Sequence, residues 1–245
     1  MESLYIVIPA YNEEATIRRV IGDWYPVAEA AARKERADFP QCQPASRLVI
    51  IDDGSRDRTA EIVRDLAREH PLILLKTKEN GGHGSAVRFG YQLAIDAGAD
   101  WIFQTDADGQ TLSSEFGRFW KARHRADMVI GWRKDRQDGL LRQVVSQVLR
   151  LVVRVTLGVS LIDPNTPYRL MSAESLAEIL PLIPKDADLT NVLTAALYKK
   201  LGFKILYKRI TFRPRQGGVN SINLKRIIRI GLKAVREFAV IGRTL

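Results

Sequence analysis

The stretch WIFQTDADG, residues 101–109, places two aspartates directly after a short apolar run. The run has the composition of a buried strand, so the aspartates stand where a strand ends. Asp106 and Asp108 lie two positions apart, and because side chains alternate along an extended chain, both carboxylates can face the same side. Such a pair suits a hard divalent cation, Mg²⁺ or Mn²⁺, which also binds diphosphate oxygens. Because an Asp-x-Asp motif is common by chance, its meaning depends on the surrounding sequence.

Apolar runs alternate with helical segments over the first half of the chain. Helical spacing is clear over 60–69 and 85–97. Strands that alternate with helices predict an α/β fold, in which helices cover both faces of a mostly parallel sheet. Ligands of such sheets bind at the carboxyl ends of the strands. The predicted strands are 4–8, 48–51, 72–75, 101–104 and 128–130.

Polar and glycine-rich segments follow four of these strands. Turn-forming preference explains one such segment easily and four poorly. In the second segment, the carboxylate of Asp53 is placed to accept hydrogen bonds from ribose hydroxyls or a base edge, while Asp57 or Thr59 caps the next helix. In the third, backbone N–H groups can approach a phosphate or a sugar. The four segments are 9–14, 52–55, 80–84 and 106–109.

Other features disfavour several classes of function. The glycine-rich segment is neither G-x-G-x-x-G nor a P-loop ending in Gly-Lys-Ser/Thr, which argues against a dehydrogenase and a P-loop NTPase. The single cysteine, Cys42, excludes an internal disulfide framework and fits a reducing, cytoplasmic compartment. We expect no signal peptide. Arg150 and Arg154 interrupt the apolar segment 144–162, which predicts an amphipathic helix and not a membrane span.

The basic residues are concentrated at the end of the chain. The net charge is +10 over 245 residues, a length that suits one domain. Residues 201–245 contain 11 of the 38 lysines and arginines and one of the 28 acidic residues, so residues 1–200 are neutral. A helix over 223–243 is predicted to be basic and amphipathic, a pattern that suits an anionic membrane surface. A packed, solvated terminal helix is the alternative.

Taken together, these segments resemble the inverting family 2 glycosyltransferases of GT-A fold, in the group of dolichyl- and polyprenyl-phosphate hexosyltransferases. The resemblance covers roughly residues 4–221. It implies a Rossmann-like GT-A sheet, a nucleotide-sugar donor such as GDP-mannose or a UDP-sugar, and Mg²⁺ or Mn²⁺ held by Asp106 and Asp108. It also implies catalytic roles for Asp108 and Asp163. The donor contacts that it implies are Pro9, Tyr11, Asn12, Glu13, Asp53, Gly84, Asp106, Ala107 and Gln110.

The second half of the chain resembles the acceptor half of the same family. Residues 163–170, DPNTPYRL, resemble its aspartate-to-arginine segment, and residues 215–221, RQGGVNS, resemble its late arginine-glycine-serine loop. The late loop departs from the family pattern, since an extra residue precedes Ser221 and Ile222 replaces a lysine. The resemblance implies that the acceptor phosphate contacts Arg133, Arg142, Ser146, Arg169 and Arg215. Arginine clusters suit phosphate because guanidinium groups bind it bidentately.

We therefore predict a single GT-A domain over 1–221, with a nucleotide-sugar half at 1–130 and an acceptor half at 131–221. The basic helix at 222–245 follows it. The expected location is the cytoplasm, peripheral at the inner face of the membrane.

Several alternatives remain open from the sequence. A soluble hydroxyl acceptor would make Asp163 a candidate base, whereas an acceptor phosphate is already largely ionised. The excess of apolar residues in 144–162 either packs on the sheet or faces lipid. A nucleotidyltransferase would need similar sites. A nucleic-acid-binding module is disfavoured because Phe238 is the only aromatic residue of the basic helix, so no nucleic-acid partner is expected.

Overall fold

The computed structural model describes residues 2–38, 40, 41, 43, 45–133, 140–214 and 224–244, with only the backbone at 140–146, 224–229 and 244. Within them, seven strands form one sheet, and eight α-helices surround it. The strands are β1 (Leu4–Ala10), β2 (Arg47–Asp52), β3 (Ile73–Thr77), β4 (Trp101–Gln104), β5 (Met128–Trp132), β6 (Arg169–Ser172) and β7 (Ile205–Arg209). The helices are α1 (Ile17–Asp38), α2 (Thr59–Glu69), α3 (His83–Asp96), α4 (Phe116–Trp120), α5 (Leu140–Leu157), α6 (Ala173–Ile179), α7 (Thr190–Lys200) and α8 (Leu224–Thr244).

The sheet has the order β3-β2-β1-β4-β6-β5-β7, and every pairing is parallel except the two made by β6. The predicted α/β fold with a mostly parallel sheet is confirmed, and the five predicted strands lie within a residue or two of their observed bounds. Because β6 runs antiparallel, its first residue lies at the same edge as the last residues of its neighbours. Arg169 accordingly pairs with Gln104 at the end of β4.

The central strand β1 is buried along its whole length. Alternate residues contribute to different layers, with Tyr5 and Val7 facing the α3 side and Ile6 and Ile8 facing the α1 side. A strand that is covered on both faces has a nearly continuous apolar sequence, as residues 4–8 do. The core therefore lies on both sides of the sheet, and the polar segments are left at its edge.

The segment between β1 and β2 is formed largely by α1, which continues to Asp38. Glu35, on the last turns of α1, is buried, and its carboxylate accepts hydrogen bonds from the backbone N–H groups of Ala45 and Ser46 at 2.6 and 3.2 Å. The end of α1 is thereby tied to the residues that enter β2.

The helices α5 and α8 pack on each other. α5 ends at Leu157, earlier than the predicted 162, because Gly158 adopts a left-handed conformation with φ of +72° that terminates the helix. Gly242 of α8 lies against this turn, where a Cβ atom would be 2.2 Å from the carbonyl oxygen of Thr156. Phe238 and Ile241 of α8 are buried in the core. No helix among the described residues has the length and apolar character needed to cross a membrane.

Candidate active site

The two aspartates of the opening motif lie half-buried at the end of β4. The Oδ1 atom of Asp106 accepts a hydrogen bond from the Gln104 amide at 3.2 Å, and Tyr91 Oη lies 3.2 Å from the other end of that amide. Asp108 Oδ1 accepts the backbone N–H of Gln110 at 3.1 Å, in a turn that Gly109 completes with φ of +71°. Both carboxylates are therefore held by local contacts at the sheet edge.

His83 is a residue of this site that the sequence analysis did not identify. It is the first residue of α3, and its Nε2 atom lies 2.9 Å from Asp106 Oδ1. The His83 side chain is 48% exposed. Partial desolvation lowers the pKa of the imidazole, but the charges of Asp106 and Asp108 and the hydrogen bond to Asp106 outweigh that effect and raise the pKa above its usual value. The one sequence signal for His83 is its position within the glycine-rich segment 80–84, where the glycines alone were interpreted.

Asp53 is buried and fully engaged by the segment that follows β3. Its carboxylate accepts hydrogen bonds from Lys78 Nζ at 2.6 Å and from the backbone N–H groups of Gly81 and Gly82 at 3.0 and 2.8 Å. In this structure these N–H groups donate to Asp53, so their approach to a phosphate or a sugar stays a prediction. As predicted, Asp57 serves the start of α2, where it accepts the N–H of Thr59 at 3.0 Å.

The segment after β1 combines an exposed ring with residues that fix the loops to one another. Tyr11 is exposed, whereas Asn12 adopts φ of +54° and accepts the backbone N–H of Arg56 at 2.8 Å. Glu13 is buried beside Thr16, whose hydroxyl lies 2.9 Å from both Glu13 Oε2 and the carbonyl oxygen of Ala107. The loops after β1, β2 and β4 therefore meet at one edge, as predicted for a ligand crevice.

Gly84 has a packing role that the sequence analysis did not anticipate. A Cβ atom at this position would lie 2.1 Å from the carbonyl oxygen of Ala187 and 2.6 Å from that of Asp188. Thr190 at the start of α7 donates to the Gly84 carbonyl at 2.8 Å. The glycine allows α3 to approach the residues before α7, and the predicted donor contact at this position is replaced by a contact within the protein.

Arg133 and Asp163, predicted separately as acceptor contact and catalytic residue, form one buried pair. The guanidinium donates through Nε and one terminal nitrogen to the two carboxylate oxygens, each at 2.8 Å, and the backbone N–H of Arg133 donates at 3.2 Å. The side chains are 7% and 8% exposed. The ring of Phe212 covers the guanidinium at 4.7 Å. Asp163 is thus a partner of Arg133 in this structure.

Arg169, predicted to contact the acceptor phosphate, is enclosed within the protein in this structure. The side chain is completely buried, and its guanidinium donates to the carbonyl oxygens of Pro164, Thr166 and Asn191. Burial lowers the pKa of this arginine, and the charges of Asp106 and Asp163 oppose the shift. Arg169 therefore fixes the 163–169 segment beside the end of β4 and leaves no donor surface for a phosphate.

The remaining predicted acceptor contacts cannot be placed. The side chains of Arg142 and Ser146, and the whole of Arg215, lie outside the described residues. The chain leading to Arg215 is described as far as 214, and Arg213 exchanges hydrogen bonds with Gln110. The Gln110 amide donates to the Arg213 carbonyl, and the Arg213 N–H donates to the Gln110 carbonyl, each at 2.8 Å. This late segment is therefore joined to the Asp108 turn.

Asp106 and Asp108 are the residues of this site whose chemistry suits a divalent metal. Carboxylate oxygens are the ligands that Mg²⁺ and Mn²⁺ prefer. Among the residues that the structure describes, no three His, Cys, Asp or Glu side chains are gathered closely enough to hold an ion. Mg²⁺ is commonly bound through one or two carboxylates together with substrate phosphates and water. The pair therefore fits a metal whose remaining ligands come from a diphosphate and water.

Known proteins with related sequences are transferases named for undecaprenyl phosphate. The undecaprenyl-phosphate 4-deoxy-4-formamido-L-arabinose transferase of Pectobacterium atrosepticum is 30% identical over 66% of this chain, and the match spans 46% of that protein. The undecaprenyl-phosphate mannosyltransferase of Micrococcus luteus is 26% identical over 89% of this chain and 86% of its own length. The chain thus spans about half the length of the Pectobacterium protein.

A similar fold is seen in glucosyl-3-phosphoglycerate synthase from Mycobacterium tuberculosis, solved in complex with Mn²⁺, UDP-glucose and phosphoglyceric acid. The TM-score is 0.67 at 17% identity, covering 98% of this chain and 80% of that one. This likeness confirms the predicted GT-A fold. The model of glycosyl transferase family 2 matches residues 5–179, which include β1 to β6 and both aspartates of the opening motif. The chain belongs to glycosyl transferase family 2.

Proposed function

We propose that this protein is an inverting, metal-dependent glycosyltransferase that moves a hexose from a nucleotide sugar to a polyprenyl or dolichyl phosphate. The observation that carries the proposal is the half-buried Asp106–Asp108 pair at the end of β4, at the edge where the loops after β1 and β2 also meet. The names of the Pectobacterium and Micrococcus relatives describe transfer to undecaprenyl phosphate.

The donor half would hold the nucleotide sugar along the strand ends. Tyr11 offers an exposed ring beside the buried carboxylates of Glu13 and Asp53. Pro9, Asn12, Ala107 and Gln110 complete the proposed donor contacts. Asp106 and Asp108 would hold Mg²⁺ or Mn²⁺, and such an ion stabilises charge on a departing diphosphate as a Lewis acid. His83 lies within hydrogen-bond distance of Asp106 and is suited to keep that carboxylate oriented.

The reaction is a single in-line displacement. An oxygen of the acceptor phosphate forms a bond to the anomeric carbon, and the bond from that carbon to the diphosphate breaks, so the electron pair leaves with the nucleoside diphosphate. A phosphate monoester has a second pKa near ~6 and is largely ionised at neutral pH, so it needs no strong base. The absence of a need for a base agrees with the state of Asp163, because Arg133 engages both of its carboxylate oxygens. Asp163 would then position Arg133 for the acceptor, with Arg142, Ser146 and Arg215 as further proposed contacts.

The surface of α5 favours a lipid-linked acceptor over a soluble one. Val148, Leu151 and Val155, which share one face of α5, are 55%, 61% and 75% exposed, whereas Val153 and Leu157 on the other face are buried. An exposed apolar stripe of this kind suits contact with a lipid tail or a bilayer. Ile162, next to Asp163 in sequence, is also exposed and brings apolar surface close to the Arg133–Asp163 pair.

The same surface supports peripheral attachment to the inner face of the membrane. α8 packs beside α5 through Gly242 and exposes Leu232 and Val240, together with Arg236 and Arg243. Apolar side chains next to arginines suit an anionic bilayer interface, where the apolar groups insert and the guanidinium groups meet lipid phosphates.

Transfer to a lipid acceptor tests the proposal directly. Purified protein would be incubated with undecaprenyl phosphate, Mn²⁺ or Mg²⁺ and a panel of nucleotide sugars that begins with GDP-mannose and UDP-glucose, and mass spectrometry would follow the glycolipid. We expect a sugar–phosphate–lipid product with one donor, inverted at the anomeric carbon, and its loss in Asp108→Asn. A panel that yields sugar transfer only to soluble hydroxyl acceptors would contradict the lipid acceptor.

A further inference from the structure

A basic cavity lies on the outer face of α3, on the side of that helix that points away from the sheet. Its volume is about 380 Å³. The sheet-facing side of α3 is formed by buried residues such as Val87 and Tyr91, and these do not line the cavity. The lining residues are Lys78, Ser85, Arg88, Phe89, Gln92 and Lys185. Among these described lining residues three are cationic and none is acidic.

Arg88 is the most firmly placed of the three cations. Its Nε donates to the carbonyl oxygen of Ile183 at 2.9 Å, and one terminal nitrogen lies 3.3 Å from that of Leu180. Neither partner carries a charge, and no carboxylate among the described residues forms an ion pair with Arg88. Burial lowers the pKa of the guanidinium, as expected for a partly desolvated cation without a counter-charge. The side chain is therefore held in place with an unbalanced positive charge.

Lys185 and Lys78 approach the cavity from different parts of the chain. Lys185 follows Ile183, whose carbonyl holds Arg88, so the two cations are joined through one loop. Lys78 is partly neutralised, because its ammonium lies 2.6 Å from Asp53. Ser85 adds a hydroxyl, whereas the Gln92 amide donates to Asp96 at 2.8 Å. Hydrogen-bond donors and positive charge together favour a phosphate group.

Phe89 gives the cavity an apolar wall. The ring is 39% exposed, although it belongs to a helix of the folded core. It also lines an adjoining cavity of about 460 Å³, together with Leu93, Ala97 and the polar residues Lys76, Gln92 and Asp96. A ligand whose phosphate meets Arg88 and Lys185 would therefore place its remaining part against Phe89, where a flat ring packs well.

We propose that this cavity, formed by Arg88, Lys185, Ser85 and Phe89, is a second ligand site that binds a phosphate monoester with an aromatic body. The site lies on the outer face of α3 and uses none of the residues assigned to the donor, the metal or the acceptor. A phosphate monoester is mostly dianionic above its second pKa near ~6, which matches the two unbalanced cations. The proposal concerns binding alone and does not depend on sugar transfer.

Calorimetric titration with phenyl phosphate and with inorganic phosphate, at fixed ionic strength and pH 7.5, tests the site. We expect phenyl phosphate to bind more tightly than inorganic phosphate. Lys185→Gln and Arg88→Gln should each weaken the binding of phenyl phosphate by about tenfold, which is the loss typical of a hydrogen bond to a charged group. Phe89→Ala should remove the preference for the phenyl ester and leave inorganic phosphate unchanged.

Two further variants keep the test specific. Lys121→Gln removes the same charge from an exposed lysine outside the cavity and should bind phenyl phosphate as the wild type does. Because Arg88 also holds two carbonyls, Lys185→Gln decides the matter if Arg88→Gln does not fold. The proposal is overturned if Lys185→Gln binds phenyl phosphate with wild-type affinity. It is equally overturned if Arg133→Gln, at the acceptor pair, abolishes that binding while circular dichroism shows that the variant is folded.

Discussion

At the scale of single residues, Asp106 depends on side chains that are themselves held in place. Gln104 is completely buried, with its amide between Tyr91 Oη and Asp106 Oδ1, at 3.2 Å from each. Partners of this kind fix the orientation of a metal-binding carboxylate, and their loss commonly lowers metal affinity by about 10–100-fold. We therefore expect Asp106 to bind a metal ion more weakly when Gln104 is changed.

Replacement of Gln104 by methionine tests this dependence, since the volume is nearly kept while the amide donor is removed. We expect Mn²⁺-dependent binding of nucleoside diphosphate to weaken by roughly tenfold. Tyr91→Phe, which deletes only the hydroxyl that faces the far end of the amide, should have a smaller effect. Equal affinities in Gln104→Met and the wild type would show that Asp106 needs no such support.

The Arg133–Asp163 pair should behave as a unit. Asp163→Ala leaves a buried guanidinium without its partner, a change that commonly costs about 3–5 kcal/mol of unfolding free energy. The double variant with Arg133→Met removes the stranded charge and should recover part of that loss. Urea unfolding of the two single variants and the double variant measures the coupling. Strictly additive changes would contradict a tightly coupled pair.

The sequence predicted the aspartates of the site but not the side chains that contact them. Asp106 and Asp53 follow apolar runs, so the sequence predicts that they lie at the ends of strands. His83 and Lys78 reach them across 23 and 25 residues of sequence, and such contacts depend on how the loops pack. The burial of Arg169 was not predicted for the same reason, because it depends on tertiary packing and on the antiparallel pairing of β6 with β4.

At the scale of helices and strands, uninterrupted apolar runs decided what was predictable. β1, β2 and β4 are buried and contain such runs, and they were predicted with nearly correct bounds. β6 and β7 were not predicted. β6 has four residues and begins with an arginine, and β7 is a half-buried edge strand with lysine and arginine at its end. Strands of this kind carry little periodic signal, and their direction in the sheet depends on tertiary packing.

Two glycines of α8 provide a matched test of its packing on α5. A Cβ atom at Gly242 would lie 2.2 Å from the Thr156 carbonyl, whereas one at Gly231 would have nothing within 4 Å. Gly242→Ala should lower the free energy of unfolding by about 1–3 kcal/mol, the usual cost of forced overpacking. Gly231→Ala should raise it by up to about 1 kcal/mol through helix propensity. Urea unfolding measures both, and an equal response would mean that α8 does not pack closely on α5.

At the scale of the whole molecule, charge and apolar surface are distributed unevenly. Residues 1–200 carry equal numbers of basic and acidic residues, whereas the last 45 residues carry 11 basic residues and one acidic residue. α8 is anchored at Lys233, which contacts Asp186 at 2.9 Å, and it exposes two arginines and several apolar side chains. We propose that these side chains and the exposed stripe on α5 meet an anionic bilayer.

Vesicle binding tests this surface. We expect the protein to co-sediment with vesicles that contain anionic lipid, and the triple variant Val148→Ser, Leu151→Ser, Val155→Ser to bind at least tenfold more weakly, since each exposed side chain that inserts contributes apolar burial. Leu201→Ser, which alters an exposed leucine at the end of α7, should bind as the wild type does. Unchanged binding of the triple variant would remove α5 from the membrane contact.

The central claim is that Asp106 and Asp108 form a metal-assisted site for a nucleotide-sugar donor. Calorimetric titration with UDP and with GDP, in the presence of Mn²⁺ and after its removal with a chelator, tests it most directly. The wild type should bind one of the two nucleotides, and chelation, Asp106→Asn and Asp108→Asn should each weaken that binding by about tenfold or more. Asp65→Asn, which changes an exposed aspartate that pairs with Arg68 on α2, should have no effect. Wild-type affinity in both Asp106→Asn and Asp108→Asn, or affinity that survives chelation unchanged, would contradict the claim.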